Sequence, residues 1–233
     1  FRRRGILPAT LDAMAEDVMG RGMEIAIGFP NERSFPSMTG SCKHRYDHVF
    51  DIPTYTAPLD DRIMNAGKRG TITIEDASHG FTEEDVDFMA RALAQYEIVG
   101  VRDRAHLDWR YHPRSGKRYR IVRAFDDGVQ KGLAVVKLYA PTNTIDLVEL
   151  LFDDAAIFLG TLREIGEHYS GEGISAMSTW SMPHYPLHAR LVDIGFVVER
   201  STHFILAPLS SRCVSGNREP PAFYLSMGDS DVP

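Results

Sequence analysis

Cysteine is nearly absent from this chain. Two in 233 residues, Cys42 and Cys213, are too few for a disulfide framework and lack the paired spacing of a metal knuckle. Also missing is any apolar run near the ~20 residues that a membrane-crossing helix needs. The N-terminus shows no charged-then-apolar leader. Positive charge is scarce: 26 Lys plus Arg stand against 32 Asp plus Glu, a formal net of −6. The chain as a whole therefore lacks the field that draws nucleic acid or an anionic membrane. These absences predict a cytoplasmic protein with no nucleic-acid partner and no membrane span. Metal ligands come in threes and fours, and the pairs His44/His48 and His184/His188, each four apart, have no third ligand at convincing spacing; no metal is expected. What is present is a 43% hydrophobic content, enough for one large or two small domains with ordinary cores.

The chain is organised around its opening run, Phe1 to Asn31. Arg2, Arg3, Arg4 and Gly5 lead into a helical pattern, with Leu11, Met14, Ala15, Val18 and Met19 at spacings of three and four, and then into the apolar stretch Met23 to Phe29. A glycine at such a turn lets backbone approach a ligand. The first N–H groups of the helix have no intrahelical partner, and the helix dipole adds positive potential there. With three arginines as countercharge, this is the pattern of an anion site.

The run returns later. Phe1 to Phe29 laid on Phe152 to Trp180, an offset of 152 − 1 = 151, pairs Ile6 with Ile157, Thr10 with Thr161, Leu11 with Leu162 and Gly22 with Gly173. At offset 150 the match continues: Ala57-Pro58-Leu59 meets Ala207-Pro208-Leu209, and Tyr46 meets Phe196. Where the first copy has Arg3-Arg4-Gly5, the second has Asp154-Ala155-Ala156, so the charge is reversed and the turn glycine is gone.

Between the copies, TITIED from Thr71 alternates as a strand, and Thr82-Glu83-Glu84-Asp85 caps a helix running to about Tyr96. A short helix spans Asp103 to Tyr111. Tyr119–Phe125, Gly132–Tyr139 and Thr144–Phe152 predict an antiparallel meander with turns at Asp126-Asp127-Gly128 and Pro141-Thr142-Asn143. There follow a helix over Ala155–Tyr169, a strand over Ile174–Trp180, a helix over Pro186–Val192, and a closing hairpin of Phe196–Ser201 and His203–Ala207. In the Ser-, Gly- and Pro-rich tail, Ala222 to Leu225 is expected to add an edge strand or dock on the body. The expected class is α/β, a mixed and mostly antiparallel central sheet with flanking helices.

This order, with an Arg-Arg-x-Gly turn opening a helix, resembles the GNAT superfamily of acyl-CoA-dependent N-acetyltransferases. The family loop is Gln/Arg-x-x-Gly-x-Gly/Ala. Arg2-Arg3-Arg4-Gly5-Ile6-Leu7 matches its first four places; Leu7 stands where Gly or Ala is usual, and Pro8 has no N–H to offer. The resemblance implies one complete and one partial copy of the acyl-CoA N-acyltransferase-like fold. Residues 1–59 would be the C-terminal part of a first unit carrying the Arg/Gly loop, 60–70 a linker, 71–209 a complete unit lacking that loop, and 210–233 a tail. By the family's plan, the strands ahead of the first loop are expected upstream of Phe1.

The implied chemistry is direct attack of an amine on the thioester of acetyl-CoA or another acyl-CoA, which serves as co-substrate. Arg2, Arg3, Arg4, Gly5 and Ile6 would hold the pyrophosphate, and Asn31 resembles an asparagine near the pantetheine arm. The resemblance also places Trp109, Arg110 and Tyr111 in an acceptor groove for a small-molecule or cell-envelope precursor amine. An aromatic helix packed over the sheet with Arg110 on a ring accounts for the same residues. Catalytic residues are unassigned: Glu149 reads as a solvated strand residue, and Tyr46 as a packed aromatic or, by position, a thiolate acid. A homodimer through an unpaired sheet edge and a non-catalytic GNAT-like binding or structural protein are the alternatives carried forward.

Overall fold

The structure, a computed structural model, describes residues 5–40, 46–67, 71–112, 119–210 and 219–230. Arg2, Arg3, Arg4, Cys42, His44, Pro113, Cys213 and Asp231 lie outside the described residues. The chain divides into two compact units, unit 1 from residues 1–53 and 201–222, and unit 2 from residues 54–200 and 223–233.

Unit 1 opens with α1 (Ile6–Gly20), followed by β1 (Ile25–Gly28) and α2 (Phe35–Gly40). Two long strands, β2 (Asp47–Pro58) and β9 (Val197–Pro208), give it residues 47–53 and 201–208. β1 runs antiparallel to β9, Ile25 opposite Pro208 and Gly28 opposite Ile205. Its core is small, with Ala15, Tyr46, Ile205, Ala207 and Leu209 buried and Phe35 and Met38 packed against them. Tyr46 is thus a packed aromatic. The stretch expected as a buried strand is shorter and half-covered, and Ile27 is exposed.

Unit 2 contains α3 (Asp61–Met64), β3 (Thr71–Asp76), α4 (Glu83–Leu93), β4 (Ile98–Val99), α5 (Arg104–Tyr111), β5 (Tyr119–Asp126), β6 (Val129–Tyr139), β7 (Thr144–Phe152), α6 (Ala155–Tyr169), β8 (Ala176–Trp180), α7 (His188–Asp193) and β10 (Phe223–Tyr224). Its sheet runs β2-β8-β7-β6-β5-β3. Within it, β7 and β8 pair in parallel and the other pairs are antiparallel. The meander forms as its turn residues predict, with positive φ at Asp127, Gly128 and Asn143. One face buries Val122, Val136, Leu147, Phe158, Leu162 and Ile165. The other buries Phe81, Phe88, Leu107, Ile121, Leu133 and Val135. A sheet covered on both faces explains why β6 and β7 read as nearly unbroken apolar runs.

Three expectations change. The closing hairpin is one continuous strand, β9, because Arg200-Ser201-Thr202 holds no Gly, Pro or Asn to turn the chain. Of the expected linker 60–70, residues 60–66 carry the α3 turn, capped by Asp60 through Arg62 N, with Ile63 fully buried. Gly67, at φ 70°, sits so close to α6 that a Cβ would lie 2.1 Å from Gly160 N, so glycine there serves packing and not flexibility. Glu149, expected in solvent, is 1% exposed. Of the two expectations for the tail, docking is met: Phe223, Tyr224 and Leu225 are buried in unit 2, and β10 pairs in parallel with β4 in a separate two-stranded sheet without extending the central one.

The internal match is visible as a sequence of elements. α1 and α6 each span 15 residues. β2 and β9 each span 12, at 47 + 150 = 197 and 58 + 150 = 208.

Candidate functional site

The two helices that align in sequence begin in opposite ways. α1 starts from Gly5 at φ 67°, and among the described residues no side chain caps it. That left-handed turn suits glycine, since a Cβ there costs about 1–2 kcal/mol. Ile6 and Leu7 are exposed around it. Helix geometry leaves their amides without an intrahelical acceptor.

At the start of α6 the N-cap takes the second and third amides, whose counterparts by position in α1 are Leu7 and Pro8, the latter without an N–H. Asp154 Oδ1 accepts Ala156 N at 2.8 Å and Ile157 N at 2.9 Å. A carboxylate already holds the donors that a phosphate would need, and Asp153 adds a second negative charge next to it. The start of α1 leaves the Ile6 and Leu7 amides open to an anion, whereas at α6 the Asp154 carboxylate occupies that place. Asp154→Ala is expected to cost unit 2 about 1 kcal/mol, the worth of an N-cap, read as a lower urea midpoint. No change would mean the cap carries no stability.

Unit 2 has an opening in its sheet. The β7–β8 ladder ends at Leu147 opposite Thr179, where Thr179 Oγ1 donates to Leu147 O at 2.9 Å and covers the last carbonyl. The β6–β7 register skips Val148 at a bulge, which bends β7 away. Between the parted strands lies a cavity of about 100 Å³, lined by Tyr96, Val148, Leu151, Trp180, Tyr185 and His188 among others. Burial pushes the Tyr96 hydroxyl up to about 12 and holds His188 below its ordinary value. At neutral pH the lining therefore carries no net side-chain charge from these groups.

Glu149 sits behind this wall. It accepts from Tyr111 Oη at 2.8 Å and Tyr224 Oη at 3.2 Å, and pairs with Arg102 at 3.0 Å. Arg102 also holds Asp229 at 2.8 Å. Burial raises the Glu149 carboxyl above its ordinary value; Arg102 opposes this and Asp229 reinforces it. With a fully enclosed side chain, Glu149 anchors Arg102, Tyr111 and Tyr224.

The three residues expected along an acceptor groove separate. Trp109 is 73% exposed. Arg110 donates to Gly228 O and Ser230 O, fastening the tail, and Tyr111 is buried against Glu149. Asn31 Oδ1 accepts Arg33 N at 3.0 Å and Ser34 N at 3.1 Å, capping its own turn. His184 and His188 go to different partners, Phe223 O and Ser181 Oγ. His48 joins a cluster that spacing in sequence did not reveal, with Asp51 and His203.

By sequence, no family model and no curated relative matches the chain. Solved structures match it over most of its length. A GCN5-related N-acetyltransferase from Anabaena variabilis superposes with a TM-score of 0.65 at 10% identity, over 90% of this chain and 52% of that one. A probable N-acyltransferase from Enterococcus faecalis gives 0.63 at 18% identity, over 90% and 51%. The chain therefore spans about half the length of these two neighbours. Its fold is that of the GNAT N-acetyltransferases. Among its neighbours is a tandem GNAT protein from the clavulanic acid biosynthesis pathway, at a TM-score of 0.56 and 14% identity, over 90% of this chain and 72% of that one. Among the described residues, no helix is long and apolar enough to cross a membrane.

Proposed function

We propose that the chain acts in acyl-CoA-dependent N-acyl transfer, most simply from acetyl-CoA to an amine. In this reading the anionic end of the co-substrate is held by Arg2, Arg3 and Arg4 with the backbone at Gly5 and Ile6. The observation that carries it is the contrast between an uncapped α1 behind a left-handed Gly5 and an α6 whose donors Asp154 occupies. Bound acyl-CoA would supply the activated acyl group. The chain's own part is to neutralise the pyrophosphate and fix its position, while unit 2 acts as scaffold and presents a cavity of mixed lining whose tyrosines stay protonated.

A second reading is favoured by the sealing of Glu149 and the self-capped α6: a GNAT-like protein that keeps the fold as a binding or structural module. The two separate in a thermal-shift titration. Acetyl-CoA is expected to raise Tm in a saturable way, by RT ln(1 + [L]/Kd), about 2.7 kcal/mol at a hundredfold excess over Kd. Arg3→Glu is expected to abolish that rise. Absence of any shift at saturating acetyl-CoA would leave the module reading.

A further inference from the structure

Unit 1 gathers four chemistry-bearing side chains that none of the steps above uses. His48 and Asp51 stand on β2, His203 on β9, and Glu32 in the turn after β1. Asp51 Oδ1 lies 2.9 Å from His48 Nε2 and 2.7 Å from His203 Nδ1. The other ring nitrogen of His203, Nε2, faces Glu32 Oε1 at 3.3 Å. Phe35 stacks on the His203 ring at 4.2 Å and meets His48 edge-on at 5.4 Å, so packing helps to set both ring planes.

A neutral imidazole carries one N–H, yet His203 meets a carboxylate oxygen at each nitrogen. It can donate to both only as the imidazolium. In the neutral ring, with Nε2–H directed at Glu32, Nδ1 turns its lone pair toward Asp51 and His48. An outer carboxylate on one ring nitrogen, with the other nitrogen converging on further donors, is how metal-binding histidines are oriented. The ion would take the place of the proton. Candidate ligand atoms of His48, Asp51 and His203 all lie within 4.8 Å of one another. Tetrahedral zinc with bonds of about 2.0–2.1 Å would hold such atoms roughly 3.3 Å apart. The present contacts of 2.7 and 2.9 Å need open by about half an ångström, and the ligand nitrogens of His48 and His203, within 4.8 Å of each other, have to come to the same separation. His48 and Asp51, with side chains 40% and 46% exposed, have room for that shift.

We propose that His48, Asp51 and His203 form a site for a divalent transition-metal ion, zinc(II) foremost, with Glu32 orienting His203. Two imidazoles and one carboxylate suit zinc better than magnesium or calcium, which favour all-oxygen shells. Three protein ligands leave a fourth position for water or an external ligand. The ion would tie β2 to β9 between residues 152 apart in sequence, within the unit that carries the arginine loop.

The metal-free full chain, titrated with zinc chloride by calorimetry and followed by thermal shift, decides the matter. One saturable event per chain with a raised Tm is expected, weakening as the pH falls and protons compete with the ion for its ligand atoms. The double variant His48→Gln/His203→Gln keeps the other 9 − 2 = 7 histidines and is expected to lose the event. Glu32→Gln should weaken it by about 10- to 100-fold. Cobalt(II) added to the unaltered chain gives a reading that does not depend on any variant folding: intense visible bands of a four-coordinate site support the proposal, and the faint spectrum of the hydrated ion overturns it. Zinc bound equally well by the double variant would overturn it too.

Discussion

Arg102→Met is expected to destabilise unit 2 by about 3–5 kcal/mol, because it strands two buried carboxylates at once. Arg102 is 6% exposed, Glu149 fully enclosed and Asp229 8% exposed, so water cannot replace the guanidinium. The loss also reaches the tail, since Arg102 donates to Ser226 Oγ as well as to Asp229. For a unit of this size the fall in Tm should be on the order of 10 °C. Glu149→Gln is expected to cost less than Arg102→Met, because Gln keeps an oxygen for one tyrosine donor and Asp229 stays as the carboxylate partner of Arg102. Equal destabilisation by the two variants would contradict the central place of Arg102 in this network. A fall of under about 1 kcal/mol for Arg102→Met would contradict the buried network itself.

The second large effect is expected at Asp85, whose side chain is fully buried against Arg123 of β5. Its oxygens accept Arg123 Nε at 2.8 Å, Arg123 Nη2 at 2.7 Å, Gln130 Nε2 at 3.0 Å and Thr82 N at 2.8 Å. The last of these completes the capping box of α4. Asp85→Ala leaves Arg123 with Glu75 alone among its carboxylate partners, at 2.9 Å, and removes half of the box, for a loss of about 3–5 kcal/mol. Burial on its own would raise the Asp85 carboxyl; the bonds from Arg123, Thr82 and Gln130 outweigh it and hold the carboxyl below its ordinary value. A depressed folded-state value stabilises above the unfolded value of about 3.9, and that stability is lost as the pH falls through the folded value. The gap in urea midpoint between the unaltered chain and Asp85→Ala should therefore be wide at pH 7 and narrow below pH 4. A gap that stays constant into acid would contradict the ionised, hydrogen-bonded Asp85.

These two networks also show where the sequence was readable and where it was not. α6 was legible to the residue because its apolar spacing is regular and Asp154 stands at its start. The meander was legible from Asp127-Gly128 and Asn143. Thr82 with Asp85 declared a helix start, but nothing local said that the same carboxylate reaches Arg123, 38 residues on. Glu149 looked like a charge facing water because its partners lie at 102, 111, 224 and 229, far off in the chain. His203 completes a cluster with His48 only through the pairing of distant strands. Local order follows from local pattern; buried ionic groups depend on topology that one sequence does not display.

Amine-dependent release of free thiol from acetyl-CoA tests the account most directly. The full chain, supplied with saturating acetyl-CoA and a panel of primary amines, should release thiol faster with an accepted amine than with acetyl-CoA alone. Arg3→Glu should lose that release while retaining a normal unfolding transition, and Asp154→Ala, outside the proposed cradle, should keep it. Release that is unaffected by Arg3→Glu, or that falls with Asp154→Ala instead, would contradict the assignment of the cradle to the opening loop.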